Sequence, residues 1–295
     1  MALHPDAAHA VAKYAAGTKV FSPGYDIATA REQARAVTRQ ERKEPVAEVR
    51  DLDADGVPCR FYGPPGCESR ALIIHLHGGG FVFNDVEVHD GFSRRLANRS
   101  GMAVLSIGYR RPPEHRFPAA PDDVDTVLGW LDRVGEFAGA DVFVHGDSAG
   151  ANLALVAALR HPGRFAAVAL VYPFLDPTAG FDSYRDAVGF DVREADWYWR
   201  QYAATEADLE NPDLAPLLSD NLDTLPATLV VTAEHDPLRD EGEHLAHRLG
   251  EEGVEVVAAR CLGMVHGFYR HPEAFVAAEP LMRQVTGFLQ QHSGS

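Results

Sequence analysis

Cysteine is scarce: Cys59, Cys67 and Cys261 are the whole complement in 295 residues. They lie far apart and form no Cys-x-x-Cys pair, which argues against a disulfide-stapled scaffold and a cysteine-ligated metal site. Ordinary reduced thiols are expected, and with them a cytoplasmic location. No apolar run approaches the ~20 residues needed to cross a bilayer. The first 21 residues intersperse His, Asp and Lys, so no secretory signal is read there. Basic residues are in deficit too. Lys and Arg number 27 against 43 Asp and Glu, a formal charge of −16, which argues against a nucleic-acid partner. The chain has no internal repeat and no low-complexity tract.

What it does have is apolar runs alternating with amphipathic ones. Hydrophobic residues make up 46 %, ample for one sizeable core. Segments 71–76, 102–107, 141–144, 166–172, 227–233 and 254–259 read as strands, most of them buried. Segments 88–99, 122–134, 151–159, 238–251 and 272–290 read as helices. This alternation predicts an α/β fold whose central sheet is mostly parallel, with helices on both faces. Segments 46–52 and 57–62, split by Asp53-Ala54-Asp55-Gly56, predict a hairpin ahead of it. Two stretches stand apart. Residues 1–45 are Ala-rich and charged, with helical spacing broken at Pro23-Gly24. Residues from about 174 to 223 hold eight aromatic rings. Together they are expected to form a helical cap on a single domain spanning 1–295. Phe83, Phe190 and Trp197 are the rings expected to meet a substrate.

The chemistry centres on Gly146-Asp147-Ser148-Ala149-Gly150, between a strand and a helix. A Gly-x-Ser-x-Gly turn in that setting is a nucleophile elbow of the α/β-hydrolase type. Its serine is held in a strained conformation, strand and helix crowd together, and only glycine fits at the flanks. A serine hydroxyl needs a base, and the base needs a carboxylate to orient it. In this fold they follow in the order serine, acid, histidine, on loops at the carboxyl ends of late strands. His266 follows the last strand and precedes Gly267, which suits a tight exposed loop. His271 sits beside Pro272 and His235 beside the acid candidate, so both fit less well. Asp236 follows the strand at 227–233 directly; Asp176, after the preceding strand, is its rival. His77-Gly78-Gly79-Gly80 leaves a strand with backbone N–H groups open to an anion. His75 and His77 have no further ligand nearby in sequence, so no metal is expected.

The ordered set is more specific than any one motif. His77-Gly78-Gly79-Gly80-Phe81, Tyr109-Arg110, Pro113-Glu114-His115, Phe117-Pro118-Ala119-Ala120, Gly146–Gly150, Asp236–Asp240 and His266-Gly267-Phe268 fall in one sequence order. In these the chain resembles the hormone-sensitive-lipase-like α/β-hydrolases, in their bacterial esterase branch. The resemblance implies Ser148 as nucleophile, His266 as base and Asp236 as its partner. It implies an oxyanion hole from the N–H groups of Gly79, Gly80 and Ala149. His77 would brace the glycine loop, and Tyr109, Glu114 and Asp147 would tie loops behind the site. Two positions depart from the family pattern. Gly108 stands where an Asp is common, and Ala151 where a second Gly often follows the elbow.

The function implied is hydrolysis of small to medium acyl carboxylic esters through an acyl-enzyme, with no cofactor. The partner would be a small-molecule ester, and the protein a monomer or homodimer. An amidase, formamidase or deacetylase with the same triad is the alternative, and a non-catalytic small-molecule binder a further one.

Overall fold

The strands with mostly apolar character form the middle of the sheet, where both faces are covered. They are β3 (Ala71–Leu76), β4 (Ala103–Ile107), β5 (Asp141–Asp147) and β6 (Ala167–Val171), buried at nearly every residue in the computed structural model. The structure describes residues 2–66, 71–186 and 188–294. Cys67 therefore lies outside the described residues, while Cys59 and Cys261 are free thiols.

The hairpin β1 (Glu48–Ala54) and β2 (Val57–Gly63) closes one edge, and β7 (Ala227–His235) and β8 (Val256–Val265) the other. The order is β1-β2-β4-β3-β5-β6-β7-β8. Only β2 runs against its neighbours; from β4 to β8 every pairing is parallel. This is the expected α/β-hydrolase architecture.

Side-chain alternation divides the core in two. Leu72, Ile74, Leu76, Val142 and Val144 point to the face covered by α4 (Ala119–Val134), α5 (Ala149–Arg160) and α8 (Arg239–Glu251). Ile73, Phe143, Ala169 and Val171 point to the other, covered by α3 (Asp90–Ser100) and α9 (Ala278–Gln291). No helix among the described residues is long and apolar enough to cross a membrane.

Two boundaries differ most from expectation. The closing helix begins at Ala278, because 272–277 turns back on itself through bonds from Ala274 and Phe275 to the His271 carbonyl. Strand β8 continues to Val265, past a register shift opposite 233–235. Its outer half is an exposed edge with mixed polarity, so the apolar run that marks a buried strand is missing.

The remaining helices sit at the carboxyl ends of the strands. α1 (Pro5–Ala16) is pinned by the His4 N–H donating to the Gly263 carbonyl at 3.0 Å. α2 (Ile27–Gln40) is capped by Asp26 and reaches the chain after β4 through Arg31 and Glu114, 2.9 Å apart. The long excursion between β6 and β7 holds α6 (Ser183–Asp186) and α7 (Val192–Tyr202). The parallel strands end at this same edge, so the segments after β3, β5, β7 and β8 converge here.

Candidate active site

Ser148 sits between the last residue of β5 and the first turn of α5, at φ 56° and ψ −123°. That left-handed backbone is strained for a residue with a Cβ. The crowding that imposes it is measurable. A Cβ at Gly146 would lie 2.1 Å from the Gly150 carbonyl oxygen, and one at Gly150 would lie 2.1 Å from the Leu76 carbonyl oxygen. Strand, helix and the end of β3 thus meet backbone to backbone. Gly150→Ala forces β3 away and carries the glycine loop with it. We expect a stability loss of ~2–3 kcal/mol in urea unfolding, with turnover reduced at least about tenfold. An unchanged midpoint and rate would show that the approach tolerates a methyl group.

The side chains read as nucleophile, base and acid meet here. His266, directly after β8, places Nε2 3.0 Å from Ser148 Oγ and Nδ1 2.8 Å from Asp236 Oδ2. Asp236 is fully buried, and its other oxygen accepts the Leu238 N–H at 2.9 Å. The rival acid, Asp176, instead caps its own turn, accepting the N–H groups of Thr178 and Gly180 at 2.9 and 3.0 Å.

The N–H groups of Gly79, Gly80 and Ala149 make no hydrogen bond among the described residues. Ala149 opens α5, whose N-terminal dipole favours negative charge. Gly79 and Gly80 take φ of +129° and +58°, a path that glycine follows without strain. The loop is fixed from behind. Asp147 Oδ1 accepts the Gly78 N–H at 2.9 Å, and the Tyr109 hydroxyl donates to the His77 carbonyl at 2.6 Å. The His77 ring stacks on Tyr109 at 4.2 Å.

The chain is similar to known proteins over most of its length. The family described as alpha/beta hydrolase fold matches residues 73–270. An arylesterase of Saccharolobus solfataricus is 37 % identical over 245 residues, 78 % of this chain and 80 % of that protein. The chain belongs to the α/β-hydrolase fold family. Within it, the chain is one of the hormone-sensitive-lipase-like hydrolases. An ethyl acetate hydrolase of Pseudomonas putida is 33 % identical over 254 residues, 81 % of this chain and 80 % of that protein. The solved structure of a hyperthermophilic esterase from Pyrobaculum calidifontis superposes with a TM-score of 0.91 at 34 % identity, covering 99 % of each chain.

One departure of this hydrolase from the family pattern has a local cause. The Gly108 N–H donates to the Pro58 carbonyl at 2.8 Å, and a Cβ there would meet that oxygen at 2.8 Å. An aspartate does not fit against β2 so closely.

A cavity of about 360 Å³ opens onto the serine. Ser148, His266, Gly79 and Gly80 form its floor, and α1 and the chain from 188 to 198 wall it in. Of the three rings expected to meet substrate, Phe190 lines it and stacks on His266 at 5.4 Å. Phe83 and Trp197 do not line it; they stack on each other, 6.1 Å apart at 11°. Phe174, Tyr184, Trp199 and Tyr202 of the same excursion join the core on the α4–α5–α8 face of the sheet. Trp199 and Tyr202 are buried, Tyr202 lying flat on Phe81 at 3.8 Å.

The sequence reading missed several wall residues: Tyr14, Tyr172, Glu194, Tyr198 and Arg270. Helical spacing holds the signal for two of them, since Glu194 and Tyr198 are four apart on α7 and share a face.

Behind the elbow lies a buried imidazole chain. His75 Nδ1 is 3.0 Å from His145 Nδ1, and His75 Nε2 is 3.2 Å from His89 Nδ1. Burial holds His75 and His89 well below the usual histidine range and pushes His145 down to about 3, so the rings are neutral. His75, His89 and Asp147 bring one donor atom each within 4.8 Å, the one such group among the described residues. Hydrogen bonds link His75 to His89 and Gly78 to Asp147, while His89 Nε2 is buried without a partner.

Proposed function

We propose that Ser148, His266 and Asp236 hydrolyse carboxylic esters through an acyl-enzyme, in a cavity closed over by a cap formed from 1–45 and about 174–223 of a single domain. The chain is a carboxylic ester hydrolase. The observation that carries the residue assignment is the continuous relay from buried Asp236 through His266 to Ser148, at 2.8 and 3.0 Å.

In the first half-reaction Nε2 takes the hydroxyl proton as Oγ attacks the ester carbonyl. The carbonyl oxygen becomes an anion, met by the N–H groups of Gly79, Gly80 and Ala149. A single donor of this kind is worth roughly 3–4 kcal/mol of barrier. Asp236 stabilises the imidazolium. The imidazolium protonates the leaving alkoxide, and the alcohol departs. Water then gives a proton to His266 and attacks the acyl-serine, and the imidazolium returns that proton to Ser148 Oγ as the acid leaves.

A cavity of about 360 Å³ is at the small end of ligand pockets and supports small to medium acyl groups. The free thiols Cys59 and Cys261 suit a cytoplasmic location.

The test is a p-nitrophenyl ester series from acetate to laurate, with a matched anilide and a fluorophosphonate probe. Expected are stoichiometric labelling, kcat/KM highest among the shorter acyl chains, and slow anilide turnover. Anilide turnover equal to that of the ester would make the protein an amidase. Absence of both labelling and turnover would end the reading.

A further inference from the structure

Ester cleavage as written above makes no use of Glu194. It lies in the first turn of α7, in the cavity wall, and is 5 % exposed. Its Oε2 is buried with no hydrogen-bond partner, and no cation pairs with it among the described residues. Its neighbours along the wall are apolar or aromatic: Phe174, Val188, Phe190 and Tyr198. Arg270 is a cation of the same wall, but it forms no ion pair with Glu194.

A carboxylate in such a place is costly. Loss of solvation pushes its carboxyl up to about 7, against the Asp191 backbone and His266, which favour the charged form. Native proteins rarely bury an unpaired carboxylate in an apolar wall, and the exceptions call for an explanation. The Asp191 backbone N–H at the start of α7 engages one side of the carboxyl but leaves Oε2 bare, and an uncharged side chain of similar size would fill the same volume without the desolvation penalty.

The geometry points to a cation subsite: Glu194 receives a protonated amine carried by the substrate, so that the preferred esters of this hydrolase bear an ammonium group. The inference rests on the reading of the same cavity as the ester site. A substrate ammonium in the cavity pairs with this carboxylate, and a turn about its last bond brings Oε2 to one of the ammonium N–H groups, which supplies the missing bond as a charge-assisted one. The formal charge of −16 also favours the approach of cationic over anionic esters.

Two matched pairs test this at neutral pH in a pH-stat. 2-(Dimethylammonio)ethyl butyrate and 3-methylbutyl butyrate differ only in charge on the alcohol side. Ethyl 4-(dimethylammonio)butyrate and ethyl 5-methylhexanoate do the same on the acyl side. For each pair the readout is the ratio of kcat/KM, cationic over neutral, in wild type, Glu194→Gln and Glu194→Leu. Active sites are titrated with a fluorophosphonate.

In at least one pair, the ratio is expected to fall about tenfold in Glu194→Gln and further in Glu194→Leu. A role for Glu194 confined to the charge on His266 would lower both members equally and leave the ratio in place. Ratios within about twofold of wild type in both pairs overturn the inference.

A wild-type measurement covers the case in which neither variant folds. Hexylammonium should inhibit p-nitrophenyl acetate hydrolysis more tightly than 1-hexanol, and equal inhibition counts against the subsite. If wild type cleaves none of the four esters and takes no fluorophosphonate label, the ester-site reading itself fails and takes the subsite with it. Turnover of neutral esters with unmoved ratios removes the subsite alone.

Discussion

Ser148→Ala is expected to lower turnover of p-nitrophenyl acetate by about 10⁶-fold, the scale seen when a triad nucleophile is removed. The loss follows from the chemistry. Without Oγ no acyl-enzyme forms, and His266 can only activate a water that nothing in the described site positions. The fold should survive. Alanine keeps the Cβ, so the strained backbone at φ 56° is no harder to adopt, and the Ser148 N–H still reaches the Val171 carbonyl at 2.9 Å. The His266 ring loses one partner, yet it is partly exposed and water can replace the hydroxyl. The urea midpoint should therefore stay within about 1 kcal/mol of wild type. Labelling by the fluorophosphonate should vanish. Turnover above one hundredth of the wild-type rate, in protein free of contaminating esterase, would mean that another group attacks the carbonyl.

The reasons why some of this site was legible and some was not are physical. Gly146 and Gly150 betray the elbow because nothing with a Cβ fits where the Gly150 and Leu76 carbonyls approach. Strands β3 to β6 are legible because burial on both faces favours a mostly apolar run. β8 is an edge strand with a solvated outer half, so no run marks its full length. Substrate contacts are harder. An aromatic ring in a cap either packs against other cap rings or faces the cavity, and composition is the same in both cases. Trp197 and Phe83 satisfy each other by stacking, whereas Phe190 turns to the imidazole. Glu194 shares a face of α7 with Tyr198, a spacing visible in the sequence, but a charged residue on that face is buried only by the packing of α7 over the serine. Gly108 marks a close approach to β2 that becomes visible only once the two strands are side by side.

Asp236→Asn is expected to cost about 10⁴-fold in turnover while leaving the fold in place. An asparagine has the same shape, and its carbonyl oxygen can still accept the Leu238 N–H now bound at 2.9 Å. The group facing His266 Nδ1 is then an amide NH₂, a donor where an acceptor stood. The ring answers by carrying its proton on Nε2, the atom that must be bare to accept the proton of Ser148 3.0 Å away. The imidazolium formed during attack also loses its counter-charge. Both effects act on the base, so labelling by the fluorophosphonate should slow in parallel with turnover and still reach completion. Asp176→Asn is the control. That carboxylate holds the turn at Thr178 and Gly180 and makes no contact with His266, so its loss should change turnover by no more than about twofold. The two variants read together separate an orienting acid from a turn cap. A large loss in Asp176→Asn with little in Asp236→Asn would move the acid to the end of β6 and break the relay proposed here.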